Sequence, residues 1–212
     1  MGGFPLERIS ETTADAIGGP VARHRMQARG TITVPGEAGF VFNGNINFDP
    51  RRSMQAEHLF KPLPSSIADD TAFHDRWAAY LPGWEMPKLI PELITSRVGF
   101  ILDYTSELFH RELRRIGHYG SLWEQWFESS PGEWSARDRR SINKTFSGLT
   151  KLIFPSGEMT KDDARLLLHV ALELRLRVRL QMHKISPQEF PQTAFSFDDK
   201  ESGEREAVNI EI

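Results

Sequence analysis

The chain has 212 residues, 39% hydrophobic and 26% charged, with a net charge of -3 from 26 basic and 29 acidic side chains. Those proportions describe a globular protein of one large or two small domains, and the small net charge argues for no particular partner. It has no cysteine, which excludes disulfides and thiolate zinc sites; it also lacks a long apolar run for a membrane span, and its start, MGGFPLERIS, lacks a signal peptide's regions, so a cytoplasmic location is expected.

Two short strands are expected at residues 29–34 and 39–43, joined through Pro35, Gly36 and Glu37 into an antiparallel hairpin. Arg23, Arg25 and Arg29 lie at its start, either as a solvated strand edge or as a face for nucleic acid or phosphate. The second strand runs into FVFNGNIN, residues 40–47, where Asn43, Gly44, Asn45 and Asn47 mark a turn or aim an amide at a polar ligand.

Residues 71–80, TAFHDRWAAY, read as a short helix capped by Asp69 or Asp70, and the prolines of LPGWEMPKLIPE then break the chain. A helix is expected over residues 95–116, burying Val98, Ile101, Leu102, Leu108, Phe109 and Leu113 and stopped by Gly117. SLWEQWFESS is expected to form a short amphipathic helix, and a further one starts with Ser135 as N-cap. The longest helix starts at Thr160, whose capping partner is the carboxylate of Asp163, and runs to about Ile185 with Leu167, Ala171, Leu174 and Val178 on one face. Arg175, Arg177 and Arg179 spread around that helix and read as a solvated face. One strand is expected at residues 193–197, and the charge-rich residues 198–212 are expected to be disordered.

The seven histidines show neither HxH nor HExxH spacing, so no metal site is expected. Trp84, Trp123, Trp126 and Trp134 are expected to pack between helices rather than stack on bases.

A strand ending in GNIN, a short helix carrying Asp75 and Arg76, and a proline-broken connection into helices resemble the second half of an AAA+ ATPase core followed by its helical lid. The block DRWAAYLPGWEMPKLIPELITSRVGFILDYTSELFHRELR is similar to the Lon-related ATPases of BREX phage-defence systems, the BrxL-like family. FVFNGNIN, KTFSGLTKLIFP and EMTKDDARLLLHVALELRLRVRLQ extend the resemblance over roughly residues 20–197. The fold class it implies is α+β, mainly α: a remnant of the α/β core over 1–60, the Asp-Arg helix and proline-rich connection over 61–95, and a helical lid over 96–197.

The resemblance also implies roles. Asn45, then Asn47, is the best match for the strand-end amide that orients the attacking water, with Asn43 less suited. Arg76 matches the arginine offered to a neighbouring subunit's nucleotide, and Arg140 is preferred to Arg139 and Arg137 as the lid arginine because Ile142 faces the bundle. Such parts suit phosphoryl transfer, which depends on positioning and charge stabilisation. If the family's link to DNA through ring assembly holds, Arg23, Arg25 and Arg29 face the pore.

The 212 residues contain no GxxxxGK(S/T) phosphate loop, which in family order precedes this region together with the acidic Mg2+-holding strand end, while the Lon-like Ser-Lys domain follows it. The expectation is therefore a C-terminal fragment or truncated family member, inactive alone, with ATP and Mg2+ entering only through a complete subunit in a homo- or hetero-oligomer. A helical interaction or DNA-binding module, or the product of a broken gene, is the alternative.

Overall fold

The computed structural model describes residues 24–27, 33–36, 39–44 and 58–210, and the chain divides into two units. Unit one holds the described residues up to Arg76 together with 179–192; unit two holds 77–178 and 193–210.

In unit one, strands β1 (His24–Gln27) and β2 (Thr33–Gly36) pair antiparallel, with Arg25 opposite Pro35. The hairpin thus lies one step earlier in the chain than expected. Residues 39–43 are not a strand: Phe40 and Val41 are exposed, and Phe42 meets the ring of Phe73 edge-to-face at 6.0 Å.

Helix α1 (Ser65–Ala68) and helix α2 (Thr71–His74) follow. Asp70 caps α2 by accepting from the Phe73 amide at 3.0 Å, and α2 stops well short of Tyr80. The core of this unit gathers Leu59, Phe60, Ile67, Phe73 and Met182. Polar groups reach into it: the Leu59 amide donates to Gln181 at 2.8 Å, and His74 Nε2 donates to the Ala68 carbonyl at 2.9 Å.

Unit two is built on two helices and a three-stranded antiparallel sheet. Helix α4 (Ala136–Ile153) starts with a capping box in which Ser135 Oγ accepts from the Asp138 amide and Asp138 accepts from the Ser135 amide, both at 3.1 Å. Helix α5 (Lys161–Ile185) starts the same way, Thr160 and Asp163 serving each other. These reciprocal caps satisfy amides that the first turn leaves without intrahelical partners.

The sheet has the order β3 (Phe127–Ser129), β4 (Phe195–Asp199), β5 (Arg205–Val208). Two sequence expectations fail here. SLWEQWFESS is a 3-10 turn over Leu122–Gln125 leading into β3, not an amphipathic helix.

The chain beyond residue 198 also forms a strand where disorder was expected. Val208 is buried opposite Phe195 in the β4–β5 ladder, and Gly203, at φ +69°, closes the turn. Its charges are paired: Arg205 with Asp198 at 2.8 Å, and Lys161 with Asp199 at 2.9 Å. Lys161 holds the Asp199 carboxyl at about 2, below its ordinary value.

The core of unit two gathers Trp123, Phe127, Ile142, Phe146, Leu168, Leu172, Phe195 and Phe197. On α5 the buried stripe runs Ala164, Leu168, Ala171, Arg175 and Val178, the i, i+4, i+7 pattern of one helix face with a guanidinium on it. Arg175 and its partner Asp138 are both 0% exposed, with Nε donating to Oδ1 at 2.8 Å. Arg177 is 7% exposed and forks onto Glu85 at 2.9 and 2.8 Å. Both were expected on a solvated face; they are inside because carboxylates and a carbonyl take up their donors.

Arg175→Met strands the buried Asp138 carboxylate and is expected to cost about 3–5 kcal/mol by urea denaturation, whereas Asp138→Leu with Arg175→Met regains part of that loss, the Ser135 cap and the donor to the Trp77 carbonyl remaining lost. A second expectation concerns pH. Burial lowers the His74 pKa below 6.5, with His58 also lowering it and Asp70 and the Ala68 carbonyl opposing. The unfolded chain therefore binds this proton first: the stability His74 contributes is whole above pH 6.5 and falls as pH drops below it. The urea midpoint is expected to fall between pH 7.5 and pH 5, and His74→Leu to remove its share of that slope.

Candidate functional site

The tertiary structure separates the Asp-Arg pair that follows α2. Asp75 is buried and Arg76 is exposed, its guanidinium donating to the Ala72 carbonyl one turn back. A short helix whose last turn turns the acid inward leaves the next residue pointing out, so the cation stands in solvent at the end of unit one.

In unit two the basic residues of RDRRS are sorted by the capping box. Asp138 occupies the third helical position and faces the core, so Arg137, Arg139 and Arg140 are exposed while Ile142 is buried. Arg139 is committed to its neighbours. It pairs with Glu124 at 3.0 Å, donates to Ser129, and lies 5.9 and 5.7 Å from the rings of Trp123 and Trp134. It borders an open cavity of about 300 Å3, with Lys200, Glu124 and Glu128 among the other lining residues. Arg140 is exposed on the same turn.

Segment 77–85, which carries PGWE, is strapped to helix α5 at three points. Arg175 Nη1 donates to the Trp77 carbonyl at 2.7 Å, the Tyr80 amide donates to the Leu174 carbonyl at 3.1 Å, and Arg177 forks onto Glu85. Burial pushes the Tyr80 phenol up to about 12 against the opposing charge of Arg177, so it stays protonated at neutral pH.

After the strap the chain changes character. Helix α3 (Leu102–Glu107) passes into a π-helical stretch, Leu108–Leu113, instead of one regular helix from residue 95. The residues expected to bury are exposed: Val98 by 102%, Ile101 by 71%, Leu102 by 85% and Phe109 by 47%. Leu89, Ile90, Leu93, Ile94 and Phe100 extend this apolar run, and nothing among the described residues covers it.

Of the remaining expected site residues, Asn45, Asn47, Arg23 and Arg29 lie outside the described residues, Arg25 sits in β1, and Asn43 is exposed. Among the described residues no group of three metal-holding side chains occurs, and the sequence has no GxxxxGK(S/T). No described helix is long and apolar enough to cross a membrane. Sequence reasoning missed Arg175, Arg177 and Glu85; the available signal for Arg175 was its place three to seven residues from Val178, Ala171 and Leu168 on the apolar stripe.

The uncovered run has a measurable consequence. Amides of residues 102–113 are expected to exchange with solvent at least tenfold faster than those of residues 164–178 in native-state hydrogen exchange, because few buried contacts oppose local opening. Equal protection would mean that the run is covered in solution.

Residues 22–196 match the family model described as Lon-like protease BrxL-like, ATPase domain. Two similar proteins are the Lon-like protease BrxL of Bacillus cereus (strain H3081.97), 41% identical, and that of Escherichia coli O9:H4 (strain HS), 38% identical, each over 183 residues. The alignments cover 86% of this chain but 27% and 26% of the two relatives, so the chain spans about a quarter of their length. On the family match and these identities, the chain belongs to the BrxL-like Lon-like protease family and corresponds to its ATPase domain.

Proposed function

We propose that this chain supplies the arginine-bearing part of an oligomeric AAA+ ATPase of the BREX phage-defence type, and that it acts with a complete family subunit rather than alone. The observation that carries this reading is the outward display of Arg76 and Arg140, each beside an aspartate that is buried, Asp75 and Asp138. Exposed guanidiniums that can turn to a phosphate are the groups that phosphoryl transfer requires from a protein once the nucleotide is held.

In this reading Arg76 works in trans on a neighbour's nucleotide, Arg140 is the lid arginine, and Asn45 or Asn47 orients the attacking water. ATP and Mg2+ are held by the complete subunit, whose phosphate loop supplies the amides and lysine that this sequence lacks. The exposed apolar run between residues 89 and 109 favours assembly, since contiguous apolar surface of this kind marks interaction sites. DNA contact through Arg23, Arg25 and Arg29 belongs to the same assembly, and its sign is binding that weakens with salt.

The test mixes this chain with a complete family ATPase. The chain alone is expected to show no ATP turnover and no micromolar ATP affinity by calorimetry. Addition to the complete subunit changes the ATPase rate, and Arg76→Ala removes that change without altering co-assembly by light scattering. A correctly placed trans arginine contributes about 10³–10⁵ in rate, so partial placement is measurable. Co-assembly with no rate change would favour the alternative, a helical interaction module.

A further inference from the structure

Arg175 is 0% exposed, and it does more than pair with Asp138. Its Nε donates to Asp138 Oδ1 at 2.8 Å and its Nη1 to the Trp77 carbonyl at 2.7 Å. Three elements of unit two meet at one guanidinium: the start of α4 through Asp138, the middle of α5 through Arg175, and the start of the 77–85 strap through Trp77.

Each tie is placed next to an exposed arginine in sequence. Asp138 precedes Arg139 and Arg140 on the first turns of α4, and Trp77 follows Arg76 directly. Asp138 is doubly committed, since its other oxygen accepts from the Ser135 amide and hydroxyl at 3.1 and 2.7 Å. It therefore cannot swing away from the helix start while holding Arg175.

We infer that Arg175 and Asp138 are positioning residues: the buried guanidinium is a joint that fixes the start of the 77–85 strap to the helix start bearing Arg140. A planar fork with several donors can hold a carboxylate and a carbonyl in fixed directions at once, which a lysine ammonium on a flexible stem does not do. The joint also explains why a costly buried ion pair is kept where packed hydrophobic residues could serve. Its functional consequence rests on the reading of Arg76 and Arg140 as nucleotide-facing; its geometric content does not.

Ala79 and Lys144 are exposed positions on the strap and on α4, and the chain has no cysteine of its own, so Ala79→Cys with Lys144→Cys gives two unique spin-label sites. Electron–electron double resonance is expected to give one narrow distance distribution in this background. Arg175→Lys, which keeps a cation for Asp138 but loses the fork, is expected to broaden it at least twofold with the helical circular dichroism retained. Asp138→Leu with Arg175→Met should do the same. A narrow distribution in either folded variant would overturn the joint, as would loss of helical signal in both, which would make the pair a requirement for folding alone.

In the mixed assembly with a complete family ATPase, Arg175→Lys is expected to lower kcat about tenfold or more at unchanged KM for ATP, since a misplacement of about 1 Å can cost about 10²-fold. Broadened distances with an unchanged kcat would keep the joint and reject the nucleotide-facing reading of the arginines.

Discussion

A guanidinium in a protein interior is tolerated only where its donors are met, and in unit two the start of α4 and the start of the 77–85 strap both meet that condition at Arg175. Its position on α5 lies in line with Leu168, Ala171 and Val178, so helix geometry delivers it to the core whether or not a partner is there. Asp138 and the Trp77 carbonyl are among its partners. Leaving either away from the guanidinium would strand a buried polar group, at a cost far above that of a surface ion pair.

That constraint orders the surroundings. Because Asp138 must face inward, the turn that carries it shows Arg137, Arg139 and Arg140 to solvent, and the indole faces of Trp123 and Trp134 take up Arg139. Because Trp77 is held by its carbonyl, the strap begins on α5, and Arg177 continues the attachment by gripping Glu85 with two hydrogen bonds. Bidentate pairing fixes direction as well as distance. Arg139 and Arg140 are thus displayed by a helix start whose buried side is tightly specified, which is how a precise geometry is kept at an exposed group.

The apolar run from Leu89 to Phe109 stands in contrast. The same residue types that form a core elsewhere are exposed here, and the helix they belong to loosens into a π-helical stretch. The chain spans about a quarter of the length of the curated relatives it matches, and contiguous apolar surface of this kind marks interaction sites.

Local signals were read from sequence alone wherever the determining contacts are local. The caps at Asp70, Ser135 and Thr160 and the full extent of α5 follow from residues within one turn of each other. The block from Asp75 to Arg114 was distinctive enough to indicate the family to which the chain belongs. Tertiary structure decided what depends on partners distant in the chain. The β5 strand exists because Val208 finds Phe195 and Arg205 finds Asp198, so a charged segment that looks disordered by composition is paired instead. Phe40 and Val41 have strand-forming side chains but pair with no strand among the described residues. Arg175 and Arg177 read as solvated from spacing, since charge alone predicts exposure; only the approach of Asp138, Glu85 and the Trp77 carbonyl, 37, 92 and 98 residues away along the chain, supplies the acceptors that make burial favourable.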